Sequence, residues 1–123
     1  MTTACDSKIL PVTTCVAPPD QAALSEAICK ARGEATAIYP CGGGTRLGYG
    51  LRPTRPGLVL SLSKLHRVVD HAIHDMTITV EAGMTMAELA RHLATARQRL
   101  PVDVPEADRA TLGGALATNT CGP

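Results

Sequence analysis

Five glycines fall within nine positions in the stretch Pro40-Cys41-Gly42-Gly43-Gly44-Thr45-Arg46-Leu47-Gly48-Tyr49-Gly50. Gly42, Gly43 and Gly44 leave successive backbone N–H groups uncovered and are free to adopt the positive φ that turns such donors toward one point. A concavity of that kind binds an anion, and phosphate suits it because several oxygens each accept a donor at short range. The loop lacks the Gly-Lys-Ser/Thr ending of an ATPase phosphate loop, and its spacing does not open onto a helix as a Rossmann fingerprint does. Taken alone, it fits a simple glycine turn between two strands equally well.

A second glycine pair, Gly113-Gly114, stands among Thr111, Thr118 and Asn119. Small side chains let a flat ligand approach the backbone, and hydroxyls reach phosphate or ring heteroatoms. The competing reading is a tightly packed helix built on Leu112, Leu116 and the alanines. The remaining reactive side chains form no pattern. The cysteines number five, an odd count with no Cys-x-x-Cys pair, and the four histidines lack ligand spacing, so reduced structural thiols and no metal are expected.

Composition narrows the function classes. Twelve basic against eleven acidic residues give a net charge of +1 with no basic block, and Phe and Trp are absent. Nucleic-acid binding needs a positive surface and usually stacking aromatics, whereas no basic block stands out and only Tyr39 and Tyr49 are aromatic. No apolar run approaches the ~20 residues of a membrane span, and Met1-Thr2-Thr3-Ala4-Cys5-Asp6 lacks the order of a signal peptide, so a cytoplasmic location is expected. At 123 residues the chain is one domain or part of one, with an aliphatic core.

The elements that must position the two glycine clusters follow from periodicity. Residues 1–17 read as an irregular segment offering at best one short edge strand. Asp20 caps a helix with Leu24, Ala27, Ile28 and Ala31 at helical spacing, ended by Gly33. Residues 35–39 form a strand into the first glycine loop, and Gly57 to Leu62, apolar on both faces, forms a strand inside a sheet. Residues 68–73 and 76–82 read as a hairpin, with Met76, Ile78, Val80 and Ala82 on one face of its second strand. Thr85 and Glu88 make a capping box for a helix burying Met86, Leu89, Ala90, Leu93 and Ala96, with Arg91, Arg97 and Arg99 toward its C-terminus.

The order of these pieces resembles the FAD-binding domain of the vanillyl-alcohol oxidase and p-cresol methylhydroxylase (PCMH) type. The text that carries it is Pro40-Cys-Gly-Gly-Gly-Thr-Arg46, Val59-Leu-Ser-Leu-Ser-Lys-Leu65, Thr79-Val-Glu-Ala-Gly83, Leu100-Pro101 and Thr111-Leu-Gly-Gly-Ala-Leu-Ala-Thr-Asn119. Within the family the sequence looks most like the FAD-binding subunit of glycolate oxidase, with D-2-hydroxy-acid dehydrogenases next.

The resemblance implies an α/β (α+β) fold that is not Rossmann: a small sheet with flanking helices, forming the N-terminal subdomain of a PCMH-type domain over 18–123. It implies that Gly42, Gly43, Gly44 and Thr45 bind the FAD pyrophosphate, with Arg46 nearby. Thr111, Gly113, Gly114, Thr118 and Asn119 would then line the flavin on the other side. No histidine occupies the first loop, so non-covalent FAD is expected. Members of the family continue into further subdomains, whereas this sequence stops at Gly122-Pro123, so it is expected to be a truncated part of a longer oxidoreductase whose catalytic residues lie elsewhere. A 2-hydroxy acid such as glycolate or D-lactate is the implied small-molecule substrate, with other subunits of an oxidase complex as possible partners. The alternatives are a flavin enzyme acting on a sugar, an alditol or a cell-wall precursor, and a non-catalytic nucleotide-binding module.

Overall fold

A computed structural model describes residues 9–122. Cys5 and the rest of residues 1–8 of the expected irregular N-terminal segment lie outside the described residues. Three parallel strands form the main sheet: β1 (Val12–Val16), β2 (Ala37–Cys41) and β3 (Gly57–Ser61), in the order β1-β3-β2. The central place of β3 follows from its composition, since a strand apolar on both faces is stable only when covered on both. Val59 and Leu60 are buried on it, and Leu10, Cys41, Val12, Tyr39 and Leu47 pack around Val59. β1, an edge strand within the segment read as irregular, has four of its five residues exposed.

Helix α1 (Gln21–Gly33) starts where the sequence places it, with the Asp20 carboxylate accepting the Ala23 N–H at 2.8 Å. Its end differs from expectation. Gly33 lies inside the last turn, and the left-handed residue is Ala35, at φ 51°. Thr36 N–H donates to the Ala31 carbonyl and Ala35 N–H to that of Arg32, the two bonds of a Schellman closure. This closure takes up Ala35 and delays β2 to residue 37, two positions later than the apolar run suggests.

The hairpin pairs β4 (Val68–Ala72) with β5 (Thr77–Val80) antiparallel, joined by a single 3-10 turn over Ile73–Asp75. Met76 closes that turn at φ 54° and is 82% exposed, so it does not share the buried face with Ile78 and Val80. Those two pack with Met84, Leu89 and Leu93. Helix α2 (Met86–Thr95) opens with both halves of the Thr85/Glu88 capping box and buries Met86, Leu89 and Leu93. Ala90 is exposed instead, and the helix stops before Ala96 because Arg97 takes φ 55° in a second Schellman closure. No described helix is long and apolar enough to cross a membrane.

Glu81, only 6% exposed, follows β5 and is held by Arg67 through its backbone N–H (2.8 Å) and guanidinium (2.8 and 3.1 Å). The guanidinium bonds, reinforced by the backbone donor, hold the Glu81 carboxyl below the usual carboxylate range. A carboxyl depressed in the folded state stabilises the fold above its unfolded pKa and loses that contribution as pH falls through the folded value. Denaturant midpoints measured from about pH 6 to about pH 3 should therefore fall more steeply for the wild type than for Glu81→Gln.

The end of α1 yields a paired test. Gly33 has open space around its missing Cβ and an ordinary φ, whereas Ala35 carries the left-handed strain. Gly33→Ala and Ala35→Gly should each stabilise by about 0.5–1 kcal/mol, raising the urea midpoint additively.

Candidate functional site

Strand β2 delivers the chain at Cys41 to the carboxyl end of the parallel sheet, where open α/β sheets place their ligands. The glycine loop begins there. Against it lies the segment leading into α3 (Leu112–Ala117), a short helix capped by Thr111, whose hydroxyl accepts the Gly114 N–H at 3.2 Å. The two segments touch backbone to backbone. A Cβ on Gly42 would collide with the Thr111 hydroxyl, and one on Gly43 would collide with the Arg109 carbonyl. Gly113 is equally confined, since its Cβ would lie 2.8 Å from the Ala82 side chain and carbonyl oxygen. Close packing thus accounts for three of the glycines.

Gly44, at φ 71°, turns the chain as only glycine does readily. Among the described residues no acceptor is paired with the backbone N–H groups of Gly43, Gly44 or Thr45. These residues border a cleft of about 150 Å³ whose opposite wall is α3 and its C-terminal turn. Of the residues singled out in the sequence, Gly42, Gly43, Gly44, Thr45, Arg46, Thr111, Gly114 and Thr118 line this cleft. Gly113 and Asn119 do not. Gly113 backs onto Ala82, and exposed Asn119 takes φ 49° in the Schellman closure of α3, a conformation asparagine tolerates.

Sequence reasoning missed Thr120, which joins the wall through a 2.6 Å hydroxyl contact with Thr118. Its hydroxyl in a small-residue run was the available signal. Val104 and Ala115, also in the wall, gave none. Cys41 lines the floor but is 2% exposed and belongs to the core, while exposed Cys121 lies off the cleft.

Among the described residues one cation borders the cleft. Arg46, with its side chain 24% exposed, donates to the Thr45 carbonyl at 3.0 Å and pairs loosely with Glu106 at 3.6 Å. Glu106 holds Arg109 more closely, at 3.0 Å, and Arg109 also reaches the Gly43 carbonyl at 3.4 Å. A carboxylate between two guanidiniums therefore spans the two loops. Backbone donors unpaired among the described residues, a loosely paired guanidinium and hydroxyls form a surface for a multiply charged oxyanion.

The FAD binding domain family matches residues 12–123. The chain belongs to that family. It is 39% identical over 94 residues to D-2-hydroxyglutarate dehydrogenase of Xanthomonas citri pv. viticola, covering 75% of this chain and 20% of the relative. It is 40% identical over 85 residues to a probable mitochondrial D-lactate dehydrogenase of Danio rerio, covering 69% and 17%. With the glycolate oxidase subunit GlcD of Bacillus subtilis it shares 29% over 85 residues, covering 69% and 18%. The chain thus spans about a fifth of the length of these relatives. The fold matches an alkyldihydroxyacetonephosphate synthase structure with a TM-score of 0.78 at 25% identity, over 88% of this chain and 22% of that one. The PCMH-type fold implied by the sequence motifs is therefore the fold observed.

The close contact at Gly43 limits how the site is probed. Gly43→Asp, designed to repel an anion, would first displace the Arg109 backbone. Gly43→Ala should lower stability by about 1–3 kcal/mol through the same collision, whereas Gly48→Ala, with open space and ordinary φ, should stay within about 0.5 kcal/mol of wild type. Urea denaturation of the two variants side by side checks this.

Proposed function

We propose that the cleft holds the pyrophosphate of FAD, without a covalent bond, in a flavin-dependent oxidoreductase acting on a 2-hydroxy acid. The observation that carries this reading is the run of unpaired N–H groups at Gly43, Gly44 and Thr45 beside Arg46, in a chain of the FAD binding domain family. The cleft is smaller than the ~300 Å³ and upward of a complete small-molecule pocket. It suits the phosphates, with the two ends of the cofactor extending beyond it.

In this reading Gly43, Gly44 and Thr45 donate from the backbone, Arg46 supplies charge, and Thr118 and Thr120 add hydroxyls from the far wall. Thr111, Gly113 and Asn119 shape that wall by capping, close packing and closure of α3. Flavin, when bound, accepts a hydride equivalent from the substrate. The residues of this chain bind and orient; none is assigned to the substrate.

The case for non-covalent binding rests on position. No histidine lies in the loop, and the Cys41 thiol is packed in the core beneath it. The substrate class is supported by relatives named for D-2-hydroxyglutarate, D-lactate and glycolate.

In protein containing this domain, Arg46→Gln should weaken FAD binding roughly 10- to 100-fold, the worth of a charge-assisted hydrogen bond of about 1.5–3 kcal/mol. Acid precipitation should release the yellow chromophore to the supernatant. Flavin fluorescence titration reads the first outcome and absorbance the second. Unchanged affinity would remove Arg46 from the site, and flavin retained in the pellet would overturn non-covalent binding.

A further inference from the structure

Away from the cleft, β4 and α2 bring two histidines into contact. His71 Nδ1 lies 3.2 Å from His92 Nε2, with ring centroids 5.1 Å apart and planes inclined at 49°. Both residues are half-buried. On the far side of the first ring, His71 Nε2 is 2.9 Å from Gln98 Oε1, and Gln98 Nε2 donates to the Ile73 carbonyl at 2.7 Å. The Ile73 bond fixes which way the amide faces. Gln98 Oε1 must then accept, His71 Nε2 must carry the proton, and in the neutral ring Nδ1 presents its lone pair toward His92.

The geometry points to a binding site for a divalent transition-metal ion between His71 and His92. An imidazole whose distal N–H is held by a carbonyl oxygen is how metal-ligating histidines are oriented. Two imidazole nitrogens bound to one tetrahedral zinc ion at 2.0–2.1 Å stand about 3.3 Å apart, and about 2.9 Å apart at a right-angled corner. The observed 3.2 Å lies between these values, so a cation enters with small ring movements.

The ligand chemistry selects ions that favour imidazole, such as zinc, cobalt, nickel and copper, over magnesium or calcium. Among the described residues no third histidine, cysteine or carboxylate completes the set. The remaining positions belong to water or to a small anion, which makes the site open and exchangeable. On binding, the proton shared by the two rings leaves His92 Nε2 and passes through solvent to its Nδ1; nothing is oxidised or reduced. The bound ion would tie β4 to α2 beside the cluster in which Val68 of β4 packs with Met84, Leu89 and Leu93. This inference is independent of the FAD reading.

Cobalt titration of the full chain tests it, with thiols alkylated because Cys15, Cys29 and Cys121 are exposed and would compete. Visible d–d bands without thiolate charge-transfer absorption are expected, and they should be lost in both His71→Ala and His92→Ala. Gln98→Ala should weaken binding about 10- to 100-fold. Unchanged affinity in either histidine variant, an undiminished Gln98→Ala, or no uptake at millimolar cobalt would overturn the site. If circular dichroism shows a variant unfolded, the wild type decides: cobalt should perturb the ring proton resonances of His71 and His92 and spare His66 and His74. Perturbation of all four alike would overturn it.

Discussion

The close approach of two backbones, Gly42-Gly43 against Arg109 to Thr111, is the constraint on which the rest of the site depends. It joins segments 66 residues apart and leaves no room for a Cβ on either glycine. The segment it grips is held from the other side as well. Thr85 and Thr111 form a bridge, Met86 donates to the Ala110 carbonyl at 2.9 Å, and Leu112 and Gly113 donate to Met84 and Ala82 at 2.9 Å. The approach to α3 is thus wedged between the glycine loop and the turn entering α2. Glycine costs about 0.5–1 kcal/mol per residue in chain entropy, and here that cost is offset by contacts that no larger residue could make.

A cleft built this way draws its donors from the main chain. The position of Gly43, Gly44 and Thr45 is set by the end of β2 on one side and by Arg109 on the other, so the N–H groups are oriented before any ligand arrives. Preorganisation of this kind lowers the ordering cost of binding. The charge that backbone donors lack comes from Arg46, and its partner Glu106 balances it while no anion is present. At 3.6 Å that ion pair is loose enough to be exchanged for phosphate oxygens, and such a half-exposed pair contributes little stability of its own.

Much of this was legible in the residues because the signals were local. Asp20 and the Thr85/Glu88 box declare helix starts through side chains that satisfy end N–H groups, and both hold in the structure. The two-sided apolar run at Gly57 to Leu62 identifies a central strand, and β3 is central. Helix ends were less readable, because Ala35 and Arg97 do what glycine usually does: tertiary packing imposes a left-handed residue without a glycine to announce it. Met76 fell off the hairpin face for the same reason. At the site, motif order identified the two loops but not the division of labour within them. That Gly42, Gly43 and Gly113 are packing glycines, while Gly44 makes the turn at positive φ, depends on contacts between distant segments. The pairing of His71 with His92, 21 residues apart on different elements, is invisible to any spacing rule.

Main-chain donors at Gly43 to Thr45, facing α3, are proposed to hold the pyrophosphate of FAD. Amide NMR of the nitrogen-15-labelled chain during FAD titration measures it most directly, since weak binding still shifts resonances residue by residue. The largest, saturable shifts are expected at Gly43, Gly44 and Thr45, accompanied by Gly114, Thr118 and Thr120. The β4 and β5 hairpin should stay unmoved. Shifts concentrated in that hairpin or along α1, with the glycine loop silent, would contradict it.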